Sequence, residues 1–384
     1  MGQSLNQPVW VTAALRSALG KFDGALATTP AVNIAGAVMR ELTDWSEMLP
    51  DTVYMGQVLQ AGVGQAPARQ AAQLADMSDE VPVTTVNKVC GSGMQSVILG
   101  CDQIRLGRYD MIVAGGMENM SLAPFLQPRC RPKMGHFAVN DHLFTDGLEN
   151  SDDHQLMGHF GELLANVMGY TRRDLDEWAV RSVTYAKKAI KNGYFQDEIV
   201  AVAGVETDEI PPSLDIGRIE TLRPVFQQEG VITAANASAM ADGAAALLLM
   251  SEAQGQRLGV TPLAYVVGYC EFSHAAKWFT TAPIYAVQKL LTQLNWQVED
   301  VDLWEINEAF AVVTVHAIHT LKIPADRVNI QGGACALGHP LGATGARIMV
   351  SLIHALRRCG LTRGIAVLCI GGGEATAIAV EIPS

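Results

Sequence analysis

Hydrophobic positions along this chain fall into two alternating registers. A run rich in β-branched residues, Val81 to Val89, enters the glycine turn Cys90-Gly91-Ser92-Gly93, and helical periodicity follows from Met94 to Leu106. Asp110-Met111-Ile112-Val113-Ala114-Gly115-Gly116 then reads as a buried strand ending in glycines. The second half of the chain repeats this order. Arg327 to Ile330 reads as a strand, Gly332 to Gly345 as a glycine-rich turn, and Ala346 to Arg358 as a helix. Gly364 to Gly371 is again a strand running into glycines. Two similar α/β halves imply a duplication, with parallel or mixed sheets layered with helices.

Residues 122–250 interrupt the pattern. They open on the Pro-, Arg- and Lys-rich stretch Pro124 to Lys133 and continue into amphipathic helices such as Arg173 to Asn192. This reads as an inserted loop domain. The N-terminal half is then 1–121, with a return segment near 251–268, and the C-terminal half is 269–384.

Composition narrows the class. The 384 residues are 49% hydrophobic, enough for a large core in an α/β protein. A net charge of −12 argues against a nucleic-acid partner, which needs a basic face. No apolar run approaches a membrane span, and Met1 to Pro8 lacks the basic start of a secretory leader. Seven scattered cysteines, an odd number, argue against a disulfide framework and for a reducing, cytoplasmic setting.

Four segments carry chemistry: the turn at Cys90, Asn307-Glu308-Ala309-Phe310-Ala311 after Val301 to Ile306, Gly338-His339-Pro340, and Cys369-Ile370-Gly371-Gly372-Gly373-Glu374. Each is expected where a strand ends in a turn, the place where open α/β folds keep their sites. Cys90, at a strand-to-helix junction, is expected to be a nucleophile whose thiolate the helix N-terminus favours. Gly91 and Gly93 leave room for a second molecule to approach. His339 is the better candidate base, and Asn307 can only polarise, through a water or an oxyanion.

Two thiols in a reducing protein admit a redox pair, a metal site, or a nucleophile with an acid/base partner. Cys90 and Cys369 are too far apart in sequence for a C-x-x-C motif, and no further ligand lies at metal spacing beside either, which leaves the third. His316 and His319 have ligand-like spacing on a helix but no carboxylate or cysteine beside them, so a structural role is expected there.

These segments resemble the thiolases, in particular the acetyl-CoA acetyltransferase and 3-ketoacyl-CoA thiolase group. The similarity extends through Met55-Gly56-Gln57-Val58-Leu59, Pro67-Ala68-Arg69-Gln70, Gly115-Gly116-Met117-Glu118-Asn119-Met120-Ser121 and Leu222-Arg223-Pro224. The resemblance implies that Cys90 carries the acyl group and His339 activates it. A water on Asn307, with His339, would form one oxyanion hole, and the backbone amides of Cys90 and Gly371 a second. Cys369 would move the α-proton. The resemblance further implies substrate contacts at Met157, Ala234, Ser238, Phe279 and Phe310. It implies acetyl-CoA, acetoacetyl-CoA or other 3-ketoacyl-CoA, and CoA as substrates, with no separate cofactor. It also implies a homotetramer, a dimer of dimers, with contacts from 122–142.

Departures fall around the substrate. Phe279-Thr280 replaces the family's Met-Gly and is expected to narrow the acyl pocket. Leu156 replaces a histidine, and Glu374 follows the last glycines in place of methionine. A longer-chain 3-ketoacyl-CoA thiolase and a non-catalytic acyl-CoA binder of the same shape are the alternatives carried from this reading.

Overall fold

The computed structural model describes residues 8–44, 48–130 and 133–383. Nine strands form one continuous path: Leu303–Ile306, Arg363–Ile370, Glu374–Glu381, Ala264–Ser273, Val9–Ser17, Ala241–Met250, Met111–Asn119, Thr52–Gly56 and Val83–Val86. Pairing is parallel at both edges and antiparallel through the middle. The order therefore reads nearly the same from either end, as a duplicated unit should. The halves join where Val9 pairs with Val266.

The helices Ser92–Arg105 and Leu341–Cys359 occupy equivalent places in the two halves. Their apolar faces share one core with residues of both half-sheets, among them Ile112, Leu247, Leu368 and Val380. The paired helices thus lie between the half-sheets. Ala31–Arg40 and Pro67–Leu74 cover one outer face, and Ala282–Leu294 and Ala311–Leu321 the other. Two glycines set the crossing distance. A Cβ on Gly93 would meet the Gly342 carbonyl oxygen at 2.9 Å, and one on Gly345 would meet the Met94 nitrogen at 2.4 Å. Only bare backbone fits there.

Several expectations need correcting. Ala241–Met250, which the sequence reading assigned to the insert, is a fully buried central strand of the sheet. It is apolar without alternation because both of its faces are covered. Arg327 to Ile330 is not a strand: it supplies a single bridge, Trp304 to Val328, beside a 3₁₀ turn. The glycine-rich stretch before the second central helix contains the helical turn Ala334–Leu337, and that central helix begins at Leu341 rather than Ala346.

The helix expected near Arg173 runs Arg172–Lys191, started by a capping box between Thr171 and Asp174. The segment expected to contact other subunits pairs Phe125–Leu126 with Asn140–Asp141 and exposes Phe125, Met134 and Phe137. No helix among the described residues is long and apolar enough to cross a membrane.

Candidate active site

Cys90 stands in a tight elbow. Val89 takes φ +47°, a left-handed conformation that a β-branched side chain rarely adopts. Lys88 and Ser92 hold the turn: the Ser92 hydroxyl donates to the Val89 carbonyl at 2.6 Å and accepts the Lys88 N–H at 2.8 Å. Gly91 must lack a side chain, since a Cβ there would lie 2.4 Å from Ile370 Cδ1. The elbow therefore presses against the end of strand Arg363–Ile370. The backbone N–H groups of Cys90 and of Gly371 lie near enough to the Cys90 sulfur to favour its thiolate.

Cys369 occupies the same strand, one residue before its end, and is close enough that a charge on Cys90 raises its own thiol. Asn307 follows the neighbouring parallel strand, with its N–H on the Val367 carbonyl at 3.0 Å. Both ends of its carboxamide are buried without a hydrogen-bond partner. Its neighbour Glu308 fixes the turn by accepting from Trp178 Nε1, Ser182 Oγ, Asn329 Nδ2 and the Cys335 N–H, at 2.8–3.0 Å. The insert helix Arg172–Lys191 thereby buttresses the Asn307 loop.

His339 arrives by another route. It lies between the turn Ala334–Leu337 and the helix from Leu341, not at a strand end as expected. Its backbone N–H bonds the Ala239 carbonyl at 2.8 Å, while the Ser238 N–H bonds the Ala309 carbonyl at 3.0 Å. The 237–239 segment thus joins the His339 and Asn307 loops. Thr344 decides the tautomer. Its hydroxyl donates to the Pro340 carbonyl at 3.0 Å, so toward His339 Nδ1, 2.6 Å away, it can only accept. Nδ1 then carries the proton and Nε2 the lone pair, and Nε2 is buried with no partner. Burial, and next the Arg347 charge, push the imidazole down to about 3. At neutral pH the ring is uncharged, with Nε2 open to accept a proton.

Electrostatics at Cys90 reverse the expectation of a stabilised thiolate. Burial pushes the thiol up to about 11, against the pull of the Gly371 and Cys90 amides. Burial also raises Cys369 well above the ordinary thiol range. Both sulfurs rest protonated, and Cys90 needs a base at the moment it attacks. The sign follows: a raised thiol pKa shifts thiolate formation to higher pH. Alkylation of Cys90 by iodoacetamide in the substrate-free protein is expected to keep accelerating from pH 9 toward 11. A plateau completed below the ordinary thiol range would contradict the burial argument.

A cavity of about 440 Å³ opens onto His339. Met157, Ala234, Ser238 and Phe310, all expected at the substrate, line it. Met157 Sδ also lies 3.5 Å from where a Gly371 Cβ would stand, which ties the cavity to the second amide. Phe279 does not line the cavity. It is buried, edge-to-face with Phe160 at 6.3 Å, in the core behind Cys369. Cys90 and Cys369 do not line this cavity either, and Phe279 shares its core with Cys369. Phe226 serves as a wall instead, edge-to-face with Phe310 at 5.8 Å, and Leu148 and Leu156 line the cavity too.

His316 and His319 both place Nδ1 3.2 Å from the Tyr170 hydroxyl, a packing contact between insert and C-terminal half. No group of three potential metal ligands occurs among the described residues. Sequence reasoning assigned no role to Thr344, Phe226 or Glu118. The first lies inside the quoted glycine-rich motif, five residues past His339, close enough to have been weighed as its orienter.

Comparison with known proteins agrees with this geometry. A family model described as the thiolase N-terminal domain matches residues 9–253, and one described as the thiolase C-terminal domain matches 260–382. An acetyl-CoA acetyltransferase of Pseudomonas aeruginosa is 42% identical over 97% of this chain and 98% of its own. One of Escherichia coli is 41% identical over 97% and 98%. A thiolase of Ascaris suum, solved in complex with coenzyme A, superposes with a TM-score of 0.94 at 38% identity, covering 98% of this chain and all of that one.

Proposed function

The chain belongs to the thiolase family, and from that premise we propose that it is an acetyl-CoA acetyltransferase, joining two acetyl-CoA into acetoacetyl-CoA and CoA and running the reverse thiolysis. One observation carries the reading: Cys90 in its strained elbow, against the end of the strand that bears Cys369, with a neutral His339 whose free Nε2 opens on the apolar cavity.

The steps follow from the protonation states. His339 Nε2 takes the Cys90 proton as the sulfur attacks the carbonyl carbon of the first thioester. The backbone amides of Cys90 and Gly371 hold the oxyanion. The imidazolium and a water on Asn307 are left for the carbonyl oxygen of the second thioester, where the enolate charge will develop. The C–S bond to CoA breaks, the leaving thiolate takes the proton of Cys369, and acetyl-Cys90 remains. Cys369, now a thiolate, removes a proton from the methyl of the second acetyl-CoA. The resulting carbanion attacks the acetyl-Cys90 carbonyl, whose oxyanion the Cys90 and Gly371 amides hold. Cys90 leaves as thiolate and recovers its proton from His339.

Every proton is returned, and the balance needs no cofactor beyond the CoA thioesters. The elevated thiol of Cys369 suits this work, because a weakly acidic thiol gives a strongly basic thiolate. Read backward, the same steps give thiolysis by a ping-pong route.

Thiolysis kinetics test the reading. With CoA as acceptor, acetoacetyl-CoA is expected to exceed a medium-chain 3-ketoacyl-CoA in kcat/KM by about tenfold or more, in keeping with the acetyl-CoA acetyltransferases to which the chain is similar. Preference for the longer substrate would make this a 3-ketoacyl-CoA thiolase of broader chain length. No turnover of either would leave an acyl-CoA binder.

A further inference from the structure

Glu118 is a fully buried carboxylate that none of these steps uses. It ends its strand inside the seam between the two halves. Oε2 accepts the Val58 N–H at 3.1 Å and the Gly342 N–H at 2.9 Å, and Oε1 accepts the Leu59 N–H at 3.1 Å. Val58 and Leu59 follow the N-terminal strand Thr52–Gly56. Gly342 lies in the first turn of the helix Leu341–Cys359, three residues after His339. The amides of a helix's first turn have no partner within the helix, so an outside carboxylate both satisfies one and meets the positive end of the dipole.

The geometry leaves this turn little freedom. A Cβ on Gly342 would stand 2.7 Å from the Met117 carbonyl oxygen and 2.8 Å from Gln57 Cα, so only bare backbone reaches the carboxylate. Thr344, which orients the imidazole, belongs to the same turn. On the other side, Val58 and Leu59 pack with Leu341 in a small apolar cluster against which Cys90 rests. One carboxylate therefore ties the backbone that follows the N-terminal strand to the turn that follows His339. Burial pushes it up to about 7, a cost that its three amide donors partly offset. A buried, costly charge at a seam of small apolar residues calls for a role.

We propose that Glu118 is a positioning residue: by gathering the amides of Val58, Leu59 and Gly342, it sets the His339 imidazole against the Cys90 thiol. The inference rests on the acyltransfer reading above.

Glu118→Gln keeps the shape but turns an N–H₂ toward a backbone N–H that needs an acceptor. The substituted protein is expected to lose about 30- to 100-fold in kcat for thiolysis of acetoacetyl-CoA, the cost of misplacing a reacting group by an ångström or so. KM should change by less than about threefold, because Glu118 itself does not line the cavity. Glu118→Asp, with the charge kept but one methylene shorter, should fall between Gln and native.

A folded E118Q with kcat within about twofold of native would overturn the proposal. So would a rise in KM at unchanged kcat, which would put Glu118 in substrate binding. If E118Q does not fold, E118D is read in the same way. If neither folds, hydrogen exchange at the Gly342 amide of the native protein decides, since fast exchange there would show that the carboxylate does not hold the turn. A native protein without turnover would refute the acyltransfer reading, whereas a protected Gly342 amide freed by E118Q would still support the anchoring.

Discussion

Cys90→Ala is expected to abolish thiolysis and condensation, lowering kcat by about 10⁴-fold or more. Without the sulfur there is no acyl carrier, and the ping-pong route has no first half. The loss should not come from unfolding. The residue as a whole is only partly buried although its sulfur is enclosed, and removal of that one atom costs about 1 kcal/mol of stability. The variant should therefore still bind acetoacetyl-CoA. Steady-state kinetics together with a thermal melt check this. A melting temperature near native with substantial turnover would move the nucleophile elsewhere, and the only other thiol beside the elbow is Cys369 among the described residues.

Cys369→Ala divides the reaction instead of stopping it at the start. In acylation Cys369 only supplies the proton of the departing CoA, and without it His339 can return the Cys90 proton to CoA, itself a stable thiolate. Single-turnover acetylation by acetyl-CoA should thus stay within about tenfold of native. Carbon–carbon bond formation has no such relief, because a carbanion adjacent to a thioester needs a base at the carbon. Condensation and thiolysis should fall by about 10²- to 10⁴-fold, the range general acid–base groups contribute. Rapid-quench measurement of the two half-reactions separates them. Equal loss in both would give Cys369 a part in forming the nucleophile, and loss in neither would remove it from the mechanism.

Much of this site was legible before folding, for local reasons. A β-branched run entering Cys-Gly-Ser-Gly can only be a strand meeting a helix, and the glycines at 91 and 93 prove to be close contacts in the folded chain. Val81 to Val89, Met94 to Leu106 and Gly364 to Gly371 each fall on an element whose ends lie within three residues of those bounds. What failed depended on distant neighbours. Ala241–Met250 carries no alternation, so its place in the sheet rests on partners that lie far off in sequence. Phe279 occupies a position tied to the substrate by resemblance, yet the face it turns is set by Phe160 from the insert.

The thiol at 90 was expected to ionise easily because a helix begins just after it. Burial by residues from both halves outweighs that local field. Glu118 shows the same limit. Its motif was visible, but the three amides it gathers come from segments as far apart as residues 58 and 342. Sequence proximity reveals turns and periodicity. It does not reveal what a long-range packing contact does to a proton.

The central claim is a covalent acyl group on Cys90, and peptide mass spectrometry after brief incubation with acetyl-CoA and an acid quench tests it most directly. The account predicts one acetyl group, on the peptide containing Cys90, removed when CoA is added before the quench. An unmodified Cys90 peptide, or an acetyl group on Cys369 alone, would contradict it.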